Sequence, residues 1–303
     1  MIPTNIIITI EFISSIISLI CLPINICFVY IIFIERHRPP YNTPFFRLCI
    51  HLSVADILME VFVTIFFKCS VFGYCLNRPL MNTPIPIAGM QYLGHAQAIG
   101  IIFIAANRFT AVYFPIKHRQ SWWTSKTTTY ILLFQWIFPL FFWIPLKFLT
   151  FEEKHVDDKT HNLEDNYPRL TKQYHLIISV ADGIFINLIV LILYGAIFLR
   201  VHTHVVVRKP GELALRLALS AFIIFVCYLF SGIFNLLCAF TTDANNELFY
   251  HTMWFVVNDI LCNSSALVLL ALNRPIRKAF VRHFRCSSKF RVSTKNNSLL
   301  QQI

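Results

Sequence analysis

The stretch Asn107-Arg108-Phe109-Thr110-Ala111-Val112-Tyr113-Phe114-Pro115 lies where the third of seven apolar segments ends. It places a charged arginine at the mouth of a membrane bundle, followed by a short aromatic–proline turn and a basic loop. Such an arginine is costly unless it faces a cavity or a partner. In a chain whose other segments are mostly predicted membrane helix, the stretch predicts a helical membrane protein with a polar opening at one end.

The composition of the whole chain agrees with a membrane environment. Of the 303 residues, 56% are apolar and only 14% are charged, whereas soluble domains carry about 25% charged residues. No polar stretch is long enough to enclose a core of its own. The chain contains 30 Phe and only eight Gly, which argues against a glycine-rich transporter. We therefore expect one membrane domain, at residues 1–290, and a disordered cytoplasmic tail at 291–303.

Seven apolar runs approach or exceed the roughly 20 residues that a helix needs to cross about 30 Å of hydrocarbon. The runs are continuous and do not alternate with polar residues, so they predict helices and not the strands of a barrel. They cover residues 6–33, 45–67, 85–106, 128–149, 174–199, 213–240 and 250–272. The predicted fold class is all-α, a seven-transmembrane helix bundle.

The positive charges predict the orientation of this bundle. The connections after spans one, three and five, the span ends next to them and the tail together hold 19 of the 26 Lys and Arg, against only two acids, Glu35 and Glu212. Basic residues collect on the cytoplasmic side of membrane proteins, so the N-terminus is expected outside and the tail inside. The net charge of +11 then reflects topology, and no nucleic-acid partner is expected. Residues 1–5 carry no basic residue and no cleavage site follows, so we expect an uncleaved first helix.

Nine cysteines are present, but they do not form a disulfide framework. Six fall within predicted spans, where packing is the simplest role. Cys69 and Cys75 lie outside the membrane, six positions apart, and pairing between them stays open.

The quoted stretch resembles the Asp-Arg-Tyr motif of rhodopsin-like G-protein-coupled receptors, with Asn107 and Phe109 in place of Asp and Tyr. Within that class the chain is most similar to the nematode serpentine chemoreceptors of the Srg superfamily, class V (Srv). Two blocks carry the resemblance. They are Phe46-Arg47-Leu48 followed by Leu52-Ser53-Val54-Ala55-Asp56, and the segment from Ala105 to Pro115.

The resemblance implies a chemosensory receptor that binds a small ligand among its helices and activates a heterotrimeric G protein. The residues expected to couple to the G protein are Asn107, Arg108 and Phe109. Because residue 107 is not an acid, the resting contact of Arg108 lacks an ion pair, and elevated basal signalling is expected. The plasma membrane is the expected location, with sensory cilia as the specific compartment, and a homo-oligomer stays open.

Asp56 resembles the acid that lines an inner polar cavity in such receptors and often holds a sodium ion. Its expected polar neighbours are Asn25 in span one and Asn263 or Ser265 in span seven. Asp56, Asn25 and Ser265 form a predicted conformational switch. The alternative is a protonated acid that is simply hydrogen-bonded within the bundle. No other cofactor and no further metal are expected.

The ligand is expected among spans three, five, six and seven, on the outer side of Asp56. The candidate contacts are Met90, Gln91, Gly94, His95, Asp182, Trp254, Asn258 and Asp259. For each of them, ordinary helix packing is the alternative role. Span seven also departs from the rhodopsin-like pattern, because no Asn-Pro-x-x-Tyr sequence occurs there.

The segment after span seven is predicted to form a short amphipathic juxtamembrane helix, from Arg274 to Arg285. Its apolar residues recur at Ile276, Phe280 and Phe284 while basic residues occupy the other positions, a pattern that favours the surface of an anionic lipid bilayer. Cys286 follows as a candidate lipidation site.

Two other functional classes compete with the receptor. A membrane enzyme would need histidines and acids that converge on a metal or a nucleophile, and the spans have no His-x-x-x-His spacing, so no enzyme is expected. A ligand-gated channel or transporter of the chemosensory membrane is the remaining alternative.

Overall fold

The structure is a computed structural model, and it describes residues 4–39, 41–68, 85–142, 177–178, 180–205, 212–241 and 244–283. Within these ranges all regular secondary structure is helical. The principal helices are α1 (Thr4–Glu35), α2 (Pro44–Phe66), α3 (Ile85–Tyr113), α4 (Ser125–Ile137), α5 (Asn187–Val205), α6 (Glu212–Phe240), α7 (Ala244–Leu272) and α8 (274–283).

Each of the seven predicted spans contains one of these helices, which confirms the seven-helix bundle. Five of them, α1, α2, α3, α6 and α7, are long and apolar enough to cross a membrane. A shorter apolar stretch, Ile184–Arg200, covers the first part of α5. The predicted juxtamembrane helix is confirmed as α8.

The third span was predicted too short. We expected it to end at residue 106, but α3 continues to Tyr113, so the stretch that begins at Asn107 forms about its last two turns. Phe114 then leaves the helical conformation, with φ −132° and ψ 56°, directly before Pro115. A residue before proline is disfavoured in the α conformation, so the aromatic–proline pair ends the helix.

The ends of three other spans also differ from the prediction. Helix α4 begins at Ser125, three residues earlier than expected, because the Thr124 side chain caps it by accepting a hydrogen bond from the Thr127 amide. Helix α5 is preceded by a π-helical turn, Ala181–Ile186, and extends beyond residue 199 to Val205. Helix α7 begins six residues earlier than predicted, at Ala244.

The helices pack around α3, which contacts α2, α4, α5 and α6. Helix α7 contacts α6 on one side and both α1 and α2 on the other. Gly100 of α3 lets Gln135 of α4 approach closely, since a Cβ at Gly100 would lie 2.7 Å from the Gln135 Nε2 atom. That amide donates to the carbonyl of Ala96 at 3.1 Å. The bundle therefore places α3 at its centre and α7 beside α1 and α2.

We call the end of the bundle that carries α8 the inner end, and the opposite end the outer end. Glu35 holds α8 to α1 at the inner end. The Glu35 carboxylate is buried and accepts from Arg282 of α8 at 2.8 Å and from Arg38 at 3.1 Å. Ile276 and Ala279 bury the apolar side of α8. Burial, together with the neighbouring Glu35 charge, raises the pKa of the Tyr41 hydroxyl in the connection that follows α1. The contacts of Glu35 thus fix α8 against the bundle.

Candidate functional site

Arg108 lies at the inner end of α3 and is held by an aromatic ring. Its guanidinium carbon lies 3.4 Å from the ring centroid of Phe45 of α2, within the range of a cation–π interaction. Its Nε and Nη2 atoms are buried and make no hydrogen bond. Among the residues that the structure describes, no acid forms an ion pair with Arg108. The Tyr194 hydroxyl of α5 is within electrostatic range and is itself buried without a hydrogen bond.

The residues on either side of Arg108 have different surroundings. Asn107 is buried, and its amide nitrogen has no hydrogen-bond acceptor. Phe109 stacks on Tyr113, with 4.6 Å between the ring centroids. The Tyr113 hydroxyl donates to the carbonyl of Ala196 at 2.9 Å and so joins α3 to α5. The predicted coupling residues are therefore neighbours on one helix end, and none of the described acids forms an ion pair with them.

Thr110 holds the second inner connection against α3. Its hydroxyl oxygen accepts from the Trp123 indole at 2.8 Å and lies 3.0 Å from the His118 Nδ1 atom. The same hydroxyl donates to the carbonyl of Ala106 at 2.8 Å. This cluster orders the turn after α3, which a partner at the inner face would meet.

Asp56 lies in the middle of the bundle and is bound by two side chains. One oxygen accepts from Ser265 of α7 at 2.6 Å, and the other accepts from Gln97 of α3 at 2.8 Å. Asn25 does not reach Asp56; its amide donates to Asn263 at 2.9 Å and to the carbonyl of Cys262 at 3.3 Å. The structure thus brings Asp56 and Ser265 together and places Asn25 in a neighbouring network.

A band of polar residues continues from that network to the outer end of the bundle, between α1, α2 and α7. We call it the polar seam, and its members are Ser14, Ser18, Asn25, Glu60, Lys68, Asp259 and Asn263. At its outer end the Lys68 ammonium donates to both oxygens of Asp259 at 2.5 Å, and the Ser14 hydroxyl donates to one of them at 2.6 Å. Both charged side chains are almost fully buried, at 1% and 4% exposure.

The middle of the polar seam is bridged by Asn263. Its amide donates to the Ser18 hydroxyl at 3.2 Å and to the carbonyl of Asp259 at 2.8 Å. Glu60 lies beside these groups, and both of its carboxylate oxygens are buried without a hydrogen bond. The polar seam therefore contains two buried acids, of which Asp259 forms an ion pair with Lys68 and Glu60 forms none with a described residue.

The remaining ligand candidates on α3 divide between two neighbours. Met90 packs against an outer apolar cluster that includes Met59 and Phe255, and a Cβ on Gly94 would lie 3.5 Å from the end of Met59. His95 is buried and stacks on Phe142, with 4.5 Å between the rings. The His95 Nδ1 atom lies 2.6 Å from the carbonyl of Gln91.

The candidates on α7 lie in or beside the same outer apolar cluster. Trp254 packs against it and lies 5.2 Å from the Phe255 ring. Asn258 is buried, and its amide nitrogen has no hydrogen-bond acceptor. Asp259, by contrast, is engaged by Lys68 and Ser14. The outer half of the bundle thus combines an aromatic region near α3 with an ion pair near α1.

Several predicted sites fall outside the described part of the chain. Cys69, Cys75 and Cys286 lie outside the described residues, and so does the Asp182 side chain. Within the described ranges, no cluster of three or more His, Cys, Asp or Glu has the arrangement of a metal site. The sodium ion near Asp56 stays a prediction.

Sequence reasoning did not identify the polar seam. Lys68 lies beyond the predicted end of span two at residue 67, and Glu60 is not among the candidate residues. A signal was present in α1, where Glu11, Ser14, Ser15, Ser18 and Asn25 recur at helical spacing within an apolar run. Gln97 carried no comparable signal, because one polar residue in a span does not show which way it faces.

Comparison with known proteins places this architecture in a family. The family described as "Serpentine type 7TM GPCR chemoreceptor Srv" matches residues 14–286 of the chain. A curated protein of Caenorhabditis elegans, "Serpentine receptor class V-1", is 64% identical over 304 residues, which cover 98% of this chain and 97% of that protein.

Proposed function

The chain belongs to the Srv family of serpentine seven-transmembrane chemoreceptors, and from that premise we propose that it binds a small ligand among its helices and activates a heterotrimeric G protein at its inner face. It is a multi-pass membrane protein of the chemoreceptor class. The ligand site, the coupling residues and the G protein are the parts that we propose.

The observation that carries the proposal is the contact of Arg108 with Phe45. A cation that lies on an aromatic face is held by about 0.5–2 kcal/mol, whereas removing one member of a buried ion pair costs about 3–5 kcal/mol. Arg108 can therefore leave Phe45 at a small cost in free energy. An arginine that can be released at the inner end of the central helix suits a site that must open to admit a partner.

Ligand binding would act on this inner site through the helices that connect the two ends. Helix α3 runs from the candidate residues Met90 and His95 to Arg108, and it contacts α5 and α6 along its length. A ligand shifts such an equilibrium only through its different affinities for the two states. We propose that the bound ligand favours the state in which Arg108 has left Phe45 and lines an open inner cleft.

The distribution of charges supports an orientation of the protein in the membrane. Basic residues outnumber acids in the connections after α1, α3 and α5, which supports an outer N-terminus and an inner α8. We propose the plasma membrane of a chemosensory cell, with the sensory cilium as the specific site. A homo-oligomer is compatible with this arrangement but is not needed for it.

The proposal is tested by a ligand screen in a heterologous cell that expresses a reporter for G protein activation. Wild type is compared with Arg108→Ala at matched surface expression, across a panel of small odorants and water-soluble compounds. Arg36→Ala is the matched control, since it removes an exposed inner-side cation that lies on the Phe33 ring.

We expect Arg108→Ala to abolish every response that wild type gives, and Arg36→Ala to leave those responses within about twofold, because loss of an exposed surface contact changes free energies by less than about 0.5 kcal/mol. A ligand-evoked current that both variants retain would instead support a channel. Equal G protein activation by wild type and Arg108→Ala would contradict the proposed coupling site.

A further inference from the structure

Glu60 is a buried acid in the middle of the polar seam, and no described cation forms an ion pair with it. Its side chain is only 2% exposed, and neither carboxylate oxygen accepts a hydrogen bond. Ser18 of α1 and Asn263 of α7 lie beside it. The Asn263 amide, however, already donates to Ser18 and to the carbonyl of Asp259. The Asn263 amide is therefore occupied with other acceptors, whereas the Ser18 hydroxyl accepts from that amide and keeps its own proton to donate.

The positive charge nearest to this part of the seam is also committed. Lys68 donates to both oxygens of Asp259, and Asp56 is bound by the neutral groups of Ser265 and Gln97. The charged and titratable groups that face the seam are Glu11 and Cys21 of α1, Asp56 of α2, Lys68 directly after α2, and Asp259 and Cys262 of α7. Only one of these groups is basic, so the seam holds more acids than bases.

An ionised carboxylate at this depth would be very unfavourable without a cation or several hydrogen-bond donors. Lys68 cannot compensate both Asp259 and Glu60. A carboxyl group in such a place is neutralised most readily by binding a proton. We propose that Glu60 is a proton-binding site, occupied while the Lys68–Asp259 pair is intact, and that its protons come from water at the outer face.

The polar side of α1 supplies a route for these protons. Glu11 is partly exposed and lies about one turn outward of Ser14 and Ser15, which are buried, and Ser18 lies one turn further in. The Ser14 hydroxyl already contacts Asp259. Carboxyl and hydroxyl groups both donate and accept protons. The step is a simple acid–base exchange between water and the Glu60 carboxylate, and it needs no other reactant.

The proton on Glu60 controls how firmly α7 is held. When Glu60 is neutral, Asp259 is the sole described carboxylate bonded to Lys68, and this pair joins the end of α2 to α7. When Glu60 loses its proton, its own carboxylate attracts Lys68. This attraction competes with Asp259 and weakens the Lys68–Asp259 pair. Outer pH would thereby bias the packing of α7 against α1 and α2. This inference concerns the protonation of one side chain, so it is independent of the proposed G protein coupling.

Infrared spectroscopy of the purified full-length protein in lipid nanodiscs tests the inference directly. A protonated carboxyl group has a carbonyl stretching band that a carboxylate lacks. We expect such a band at neutral pH in wild type, with a shift in D₂O and a loss of intensity in alkaline buffer. Glu60→Gln should remove the part of this band that Glu60 contributes. The matched variant Glu35→Gln, outside the polar seam, and the variant Asp56→Asn should keep that part.

Two outcomes would overturn the inference. One is a wild-type spectrum without a protonated-carboxyl band at neutral pH, and the other is a band that Glu60→Gln leaves unchanged. If Glu60→Gln does not fold, Glu60→Asp serves in its place, because a shorter acid should keep the band at a changed frequency. A band that stays at the same frequency in Glu60→Asp would again contradict the assignment.

Discussion

The two ends of the bundle differ in the contact that holds a buried cation. At the outer end, Lys68 is paired with Asp259, which also accepts from Ser14, and three helices meet there. At the inner end, Arg108 lies on the Phe45 ring and has no ion pair with any described acid. A buried ion pair is hard to break once formed, whereas a cation–π contact is weaker. The ion pair at the outer end therefore holds α1, α2 and α7 together, and at the inner end we propose that Arg108 is released from Phe45.

The cluster around Glu35 shows how the exposure of the partner changes an ion pair. Glu35 is as buried as Asp259, at 3% side-chain exposure, but its arginine partners are 69% and 60% exposed. Exposed partners are screened by water, so their ion pairs contribute little. The molecule thus offers three cases: both partners buried, one partner buried, and a cation that lies on a ring.

The largest effect is expected at the outer pair. Asp259→Asn leaves the Lys68 ammonium buried and uncompensated, which should lower the free energy of unfolding by about 3–5 kcal/mol. The thermal unfolding of the purified protein measures this loss. The double variant Lys68→Met with Asp259→Leu removes both charges and should recover most of the stability. Equal losses in the single and double variants would show that packing, and not charge, holds this end.

The next effect is expected at Phe45. Phe45→Leu keeps an apolar side chain but removes the ring beneath Arg108, a loss of about 0.5–2 kcal/mol. Because about 1.4 kcal/mol corresponds to a tenfold change, basal G protein activation should rise by about twofold to thirtyfold. Phe46→Leu is the control, since that buried ring packs on Tyr41 and Phe45. A rise of similar size in both variants would remove the special role of the ring.

A smaller change is expected from Asn107→Asp, which introduces an acid next to Arg108. The added carboxylate should attract Arg108 in its resting position and lower basal activation, by a smaller factor than the rise expected for Phe45→Leu, as measured by the same reporter at matched surface expression. Asn107→Leu is a neutral variant of similar size and should not produce this decrease. Unchanged basal activation in Asn107→Asp would contradict the prediction that Asn107, in place of an acid, elevates basal signalling.

The smallest effect is expected at Glu35. Arg38→Ala and Arg282→Ala each remove one exposed partner, so each should lower the free energy of unfolding by less than about 1 kcal/mol. Thermal unfolding in parallel with Asp259→Asn gives the comparison. A loss as large as that of Asp259→Asn would mean that exposure of the partner does not govern the strength of these pairs.

The sequence predicts the helices of this protein better than it predicts their polar contacts. Apolar runs of membrane length identify all seven spans, because a helix in lipid must bury its own backbone groups. The end of α3 was misplaced because Asn107 and Arg108 are polar, although Phe114 and Pro115 carry the true stop signal. The π-helical turn before α5 has no comparable signal in the residues Ala181–Ile186.

Among the candidate sites, one polar contact could be predicted from the sequence and another could not. The contact of Asp56 with Ser265 agrees with the resemblance, because the motif on α2 fixes which way that acid faces. The pairing of Lys68 with Asp259 depends on how far α2 extends and on how α7 is rotated against α1. Neither quantity follows from periodicity, so residues 191 positions apart in the chain could be joined only by the structure.

The most direct test of the central claim is the rate of guanine nucleotide exchange on a purified G protein, measured with the receptor in lipid nanodiscs and expressed per folded receptor. Wild type should stimulate exchange above the rate without receptor, and Arg108→Ala should reduce exchange to that background while its thermal unfolding stays close to that of wild type. Equal exchange by the two proteins would contradict the claim that the inner end, and Arg108 in particular, is the part of the molecule that signals.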